Sequence, residues 1–154
     1  MSPKVLGDKL VTRHISVMVD EALEEDRVVV VNGARQAGKT TLARQLIDRR
    51  GGTFLSLDQA ELGQAARDDP AFFLSEARRE PVVIDEFQRA PELLLAIKEQ
   101  VDRDPRPGRY VLTGSTRFLT VPTLSESLTG RAAILDLWPL SQGELEGTSD
   151  RFVD

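Results

Sequence analysis

Gly33, Gly38, Lys39 and Thr40 occupy the fixed positions of the pattern G-x-x-x-x-G-K-[ST], a spacing with a specific chemical use. Backbone N–H groups of a glycine-containing loop, with the open N-terminus of a following helix, form a concave donor surface for phosphate oxygens. Gly33 and Gly38 allow backbone angles and a close approach that a Cβ would block. Ala34, Arg35, Gln36 and Ala37 complete the loop, and Thr41 follows it. Lys39 would place a point charge on the β- and γ-phosphates, and the Thr40 hydroxyl would ligate Mg²⁺. The plainer reading is an exposed glycine turn opening an ordinary helix. It requires an accidental match that a chain of this size gives in about half a percent of cases.

Asp85 and Glu86 form the second chemical group, directly after Pro81-Val82-Val83-Ile84. One acid is what a phosphate-bound Mg²⁺ needs, directly or through water, and a second beside it can polarise an attacking water. Asp85 is the candidate metal acid and Glu86 the candidate base. The alternative is a surface turn carrying two solvated acids. A third group ends Tyr110-Val111-Leu112-Thr113-Gly114-Ser115. A hydroxyl there, Ser115 ahead of Thr113, could hydrogen-bond the attacking water, although Thr, Gly and Ser also suit a plain turn. Asp58 ends another strand-like run and reads equally as a site acid or as a helix cap. His14, the single histidine, lies beside an apolar stripe and reads as structural, though its neighbourhood could border an adenine pocket.

These residues need a scaffold, and the pattern supplies one. Val28 to Val31 is a β-branched run bounded by a turn glycine, the signature of a buried parallel strand. After Lys39 the pattern turns helical, with Leu42, Leu46 and Ile47 on one face and Gly51-Gly52 as the stop. Thr53 to Asp58 predicts a second strand. Gln59 to Glu80 is helical but interrupted at Asp68-Asp69-Pro70, where Asp69 suits an N-cap and Pro70 a first helical position. Phe72, Phe73, Leu74 and Ala77 then read as core. Pro91 to Val101 predicts a helix burying Leu93, Leu94, Ile97 and Val101, ended by the turn Asp104 to Gly108. Val82 to Ile84, Tyr110 to Ser115 and Ala132 to Trp138 are further strands, with a short helix near Leu124 to Leu128. At the start, Lys9 to Asp26 carries Val11, Ile15, Met18 and Ala22 on one helical face. Glu21, Glu24, Glu25 and Asp26 are expected to leave that helix as a solvated turn, because negative charge is unfavourable at a helix C-terminus.

Composition narrows the rest. With 154 residues the chain is one domain's worth. A hydrophobic share of 40% with 29% charged residues is ordinary for a globular protein. There is no cysteine, which rules out disulfides, thiolate metal sites and a catalytic thiol. A net charge of −5 argues against a broadly basic nucleic-acid surface, although sixteen of the twenty basic residues are arginine. No apolar stretch approaches the roughly 18–20 residues of a membrane span and no signal core opens the chain, so a cytoplasmic location without membrane contact is expected.

Gly33 to Thr40 looks like a Walker A motif, Val82 to Glu86 like a Walker B motif ending in Asp-Glu, and Leu112 to Ser115 like a sensor-1 strand. Together they resemble the AAA-type P-loop ATPases of the additional-strand, catalytic-glutamate division. More narrowly, "Asn-Gly-Ala-Arg-Gln-Ala-Gly-Lys-Thr-Thr", "Leu-Ser-Leu-Asp", "Ile-Asp-Glu-Phe-Gln", "Leu-Thr-Gly-Ser" and "Leu-Thr-Gly-Arg" with "Pro-Leu-Ser" resemble a bacterial and archaeal AAA-like ATP-binding family.

The resemblance implies an α/β fold, a P-loop NTPase three-layer sandwich. Its central parallel sheet has about five strands, with the sensor strand between the Walker A and Walker B strands. It implies ATP or ADP and Mg²⁺ as cofactors, nucleotide contact along Gly33 to Thr41, and metal contact at Thr40 and Asp85. Lys39, Glu86 and Ser115 take catalytic roles. Arg131 becomes an arginine finger or interdomain sensor, although its place before an apolar strand equally suits a structural salt bridge. The expected organisation is an N-terminal helix over 1–26, the ATPase domain over 27–140, and a tail over 141–154. That tail would lead to an absent C-terminal domain, so the fragment is expected to bind ATP or ADP weakly and hydrolyse slowly. The function implied is Mg²⁺-dependent ATP hydrolysis coupled to conformational change, with a protein partner or the second domain as its target. A nucleotide-gated adaptor and a small-molecule P-loop kinase are the alternatives. No [NT]-K-x-D guanine motif is present, which favours ATP.

Overall fold

A computed structural model of the chain describes residues 15–33, 38–114 and 130–137. Five strands form one sheet: β1 Val28–Gly33, β2 Thr53–Ser56, β3 Val82–Asp85, β4 Tyr110–Gly114 and β5 Ala132–Leu137. Their order is β2-β3-β4-β1-β5, and every pairing is parallel. The expected arrangement holds: β4 lies between β1, which leads to the glycine loop, and β3, which ends in Asp85.

The four consecutive valines of β1 explain its central place. Val28 and Val30 enter one core cluster and Val29 and Val31 the other, because successive strand side chains point to opposite faces. All four are at most 1% exposed, and each such burial contributes about 1.5 kcal/mol or more relative to exposure. On one face lie α1, helical over residues 15–25, and α2, Lys39–Arg50. On the other lie α3 Ala60–Asp68, α4 Pro70–Ser75 and α5 Leu93–Arg103. The α5 face is as the sequence predicts, with Leu93, Leu94, Ile97 and Val101 buried. Asp69 divides α3 from α4 and accepts the Phe72 N–H at 3.1 Å. Val11, His14, Leu124 to Leu128, Trp138 and the tail over 141–154 lie outside the described residues.

Three local expectations are corrected. Along α1 the buried row is Ile15, Val19 and Leu23, whereas Met18 is 36% exposed. That row packs against Val29, Val31, Leu42 and Leu46 with Ala22 beside it, and Met18 turns outward. Glu21, Glu24 and Glu25 stay inside the helix with exposed side chains. Burial of Leu23 holds that last turn against the small penalty of solvated acids at a helix end. Phe72 is 62% exposed rather than core, because α4 has only six residues and commits Phe73 and Leu74 to the sheet.

Charged residues gather where the strands begin. Arg109 is buried, pairs with Glu80 at 2.9 Å, and donates to the carbonyls of Gln100 and Asp104 at 2.7 and 3.1 Å. It thereby serves the open C-terminal carbonyls of α5. Arg27 and Arg131 both reach Asp102, at 3.4 and 2.8 Å. The hydrogen bond from Arg131 holds the Asp102 carboxyl below its usual range, with charges from Arg131, Lys98 and Arg27 adding to it.

Candidate functional site

The carboxyl ends of the strands carry the chemistry, the end at which open α/β sheets place ligands. Gly38 caps α2 with φ 89° and ψ 21°. A Cβ there would meet nothing within 4 Å, so the left-handed backbone rather than space demands glycine. Lys39, the next residue, is 3% exposed. Its Nζ donates to the Gly33 carbonyl at 3.2 Å and lies 3.9 Å from Glu86 Oε1. A buried ammonium at the positive end of a helix is unfavourable by itself. An anion bound beside it would remove that penalty.

Parity and register assemble the acid site. Ser56 is paired with Asp85, and Ile84 with Leu112, so Asp85 falls beside Thr113. Val83 and Val111 belong to the α2-side core, which puts Asp85 and Thr113, two residues further along each strand, on that side as well. Asp85 is 1% exposed and receives three hydroxyls. Thr113 Oγ1 donates to Oδ1 at 2.6 Å, while Thr40 and Ser56 donate to Oδ2 at 3.1 and 3.4 Å. Thr113 Oγ1 also accepts the Glu86 N–H at 3.2 Å. One hydroxyl therefore links both members of the acid pair.

Glu86 has φ 58° and ψ 48°, the one non-glycine residue at positive φ among the described residues. Such a conformation costs about 1–3 kcal/mol and persists where the surroundings enforce it. Here Thr113 holds the Glu86 N–H, and a 3-10 turn over Phe87–Arg89 follows at once. Phe87 and Ala90 are wholly buried. The Glu86 carboxylate is 14% exposed, and its Oε2 accepts Gln88 Nε2 at 3.0 Å.

The donor set fits Mg²⁺ with a nucleotide. A threonine hydroxyl and one carboxylate oxygen, 3.1 Å apart, are hard oxygen ligands, and Mg²⁺ takes one or two such groups plus phosphates and water. Among the described residues no group of three or more His, Cys, Asp or Glu is placed to hold a metal ion.

Lys39, Thr40, Asp85 and Glu86 are thus brought together. Thr41 sits on the first turn of α2 and is exposed. Ala34, Arg35, Gln36, Ala37 and Ser115 lie outside the described residues. Arg131 is not part of the cluster. It precedes β5 at the opposite end of the sheet, where Nε and Nη2 bond Asp102 at 2.8 and 3.1 Å. Six residues of strand, about 20 Å, separate it from the glycine-loop end. Asp58 pairs with Arg89 at 2.7 Å, and the cap position of α3 is Gln59 rather than Asp58. Sequence reasoning missed Ser56 and Gln88, and it missed the bonds of Thr113 to Asp85 and to the Glu86 N–H. Strand alternation from Val83 and Val111 carried the signal for Thr113, but the pairing register that sets it beside Asp85 is not written in either segment alone.

Comparison with known proteins agrees with this geometry. Two uncharacterised proteins, from Mycobacterium bovis and Mycobacterium tuberculosis, are each 35% identical over 127 residues, covering 81% of this chain. The chain spans 28% of the length of these relatives. Among solved structures, a Walker-type ATPase of Pyrococcus abyssi superposes with a TM-score of 0.54 at 17% identity, over 90% of this chain and 57% of that one. The P-loop NTPase domain of a sigma-54 activator from E. coli gives 0.55 at 17% identity, over 84% and 95%. These likenesses show a shared P-loop NTPase fold. The family model described as an AAA domain matches residues 25–146, and the chain belongs to that family, the AAA-type P-loop ATPases.

Proposed function

We propose that the chain binds ATP with Mg²⁺ and hydrolyses it to ADP and inorganic phosphate. The observation that carries this reading is the convergence of Lys39, Thr40, Asp85 and Glu86 at the carboxyl ends of the central strands. In this reading Gly33 to Thr41 cradles the phosphates, with Lys39 leaving the Gly33 carbonyl for the β- and γ-phosphate oxygens. Thr40 and Asp85 would hold Mg²⁺, which when bound neutralises charge on the phosphates. Glu86 accepts a proton from water as the water oxygen bonds to the γ-phosphorus. The bond from that phosphorus to the bridging oxygen breaks, and its electron pair leaves with ADP. Thr113 keeps Asp85 and the Glu86 backbone in register, and Ser115 is assigned the γ-phosphate contact.

Residues 27–140 are read as the ATPase domain, residues 1–26 as a helical addition to it, and residues 141–154 as a lead toward a further domain. The greater length of the curated relatives supports a further domain. Hydrolysis would drive a conformational change in that domain or in a protein partner, in the cytoplasm where ATP is supplied. Arg131, paired with Asp102 far from the chain's own glycine loop, can serve as an arginine finger only toward another copy or domain.

Phosphate release and retained nucleotide test the reading together. Lys39→Ala should lose nucleotide binding. Glu86→Gln should keep bound ATP through gel filtration while phosphate release falls at least a hundredfold. Unchanged release in Glu86→Gln would falsify the assignment of the base. Absence of release from the native chain, with ATP bound, would leave a nucleotide-gated binding module.

A further inference from the structure

The two oxygens of the Glu86 carboxylate have different neighbours. Oε1 lies 3.9 Å from the Lys39 ammonium, and Oε2 accepts Gln88 Nε2 at 3.0 Å. Lys39 marks the phosphate side of the site, so Oε1 is the oxygen turned toward the reacting group, and Oε2 is held from behind.

The holder stands on a rigid support. Phe87 and Ala90, which flank Gln88 and Arg89, are wholly buried. Arg89 N donates to the Glu86 carbonyl at 3.1 Å and Ala90 N to the Phe87 carbonyl at 3.0 Å. Arg89 is itself tied to Asp58 on the β2–α3 connection at 2.7 Å. The Gln88 amide therefore reaches back to Glu86 from a turn with little freedom to move.

The terminal torsion of a glutamate is broad and roughly two-fold, so an untethered carboxylate exchanges its oxygens and wanders from the water it must meet. A hydrogen bond to a charged acceptor is strong enough to oppose that rotation. A neutral amide does so without the opposing charge that a lysine or arginine would set against proton uptake.

We propose that Gln88 is a positioning residue for Glu86: its side-chain amide occupies Oε2 and directs Oε1 to the phosphate site. The role rests on the ATPase reading above and adds to it a residue that acts through the Glu86 carboxylate.

The test compares Gln88→Met, which keeps length and volume but removes the donor, with Gln88→Glu, which also sets a like charge beside the base. The expected result is a kcat about tenfold lower in Gln88→Met, with KM for ATP and the Kd for ADP changed less than twofold. Gln88→Glu should fall further. A packing role would instead spare Gln88→Met or lower kcat and melting temperature together, and either result overturns the proposal. A second readout needs no turnover. In the nucleotide-free protein the Gln88 side-chain amide signal, assigned by its loss in Gln88→Met, should shift in Glu86→Ala, and an unmoved signal overturns the contact. Turnover that survives Glu86→Gln refutes Glu86 as the base and the role of Gln88 with it. Turnover lost in Glu86→Gln but kept in Gln88→Met refutes the role of Gln88 alone.

Discussion

Of the three hydroxyls on the Asp85 carboxylate, Thr113 and Thr40 stand in environments that predict opposite consequences of losing them. Thr113 is 1% exposed and donates to Asp85 Oδ1 at 2.6 Å while accepting the Glu86 N–H. Thr113→Val keeps the shape and removes both bonds. A hydrogen bond to a charged group is worth about 1.5–3 kcal/mol and a neutral one about 1 kcal/mol, so the loss sums to about 2.5–4 kcal/mol. Against a domain stability of about 5–15 kcal/mol, that is a large fraction. Thr40 is exposed, and Asp85 Oδ2 keeps Ser56 when Thr40 is lost, so Thr40→Val should cost less than about 1 kcal/mol. Nucleotide binding should reverse the order. Thr40→Val should weaken Mg²⁺-dependent ADP binding at least about tenfold, or 1.4 kcal/mol, whereas a folded Thr113→Val chain should bind within a few-fold of native. Urea titration followed by far-ultraviolet circular dichroism, read at constant m-value, gives the first comparison, and a fluorescent ADP analogue gives the second. A double-mutant cycle with Asp85→Asn should return a Thr113–Asp85 coupling of about 1.5–3 kcal/mol. Equal destabilisation by the two threonine variants, or a Thr113→Val effect within about 0.5 kcal/mol, would refute this account of the row.

Tyr110 is the chain's single tyrosine, and burial raises its phenol above the usual range, with Glu80 adding to the rise and Arg109 opposing it. A folded pKa above the unfolded value means full stability below about pH 10 and loss as pH rises toward the folded pKa. Tyrosinate absorbance should therefore appear together with alkaline unfolding, and ionisation of a still-folded chain at its ordinary pH would contradict the burial argument. Gly52→Ala should destabilise by about 2–4 kcal/mol, since φ is 120° and a Cβ would collide with the Pro81 carbonyl; an unchanged urea midpoint would sink that claim. Arg131→Ala should leave dilute single-chain turnover unaltered, because the residue pairs with Asp102 away from the site. A loss confined to high protein concentration would indicate action between copies, and a loss at all concentrations would contradict its placement. In the same variant the acid sensitivity contributed by Asp102 should weaken. Its depressed pKa stabilises the fold above about pH 3.8, and that contribution is lost as pH falls through the folded value.

What the sequence revealed depended on whether the signal was local. Val28 to Val31 and Val82 to Ile84 announce buried strands by composition, and the G-x-x-x-x-G-K-[ST] spacing places Lys39 and Thr40 without further help. Asp69-Pro70 marks a helix boundary by its own chemistry. Partnerships across elements were harder. Ser56, Asp85 and Thr113 come from three strands and meet only through register, so neither hydroxyl announced its bond to Asp85. Gln88 lies two residues from Glu86, yet only the left-handed backbone at Glu86 and the turn behind it bring the amide to the carboxylate. Met18 and Phe72 failed for a related reason. Apolar type states a preference for burial, but the width of the contact and the shortness of α4 decide which residues receive it.

The strand order has a consequence for how the molecule assembles. β1 pairs with strands that begin at Tyr110 and Ala132 and with nothing nearby in sequence. Its neighbours are therefore supplied last during synthesis, and closing those long loops is slow. Until residue 114 has emerged, a run of four valines stands with both edges bare, a template for association with other chains. A nascent chain stalled before Tyr110 should be held by chaperones or aggregate, while one extended through Leu137 should gain protease resistance in a single step. β1, which leads into the glycine loop, is the first of the five strands made and among the last to be paired.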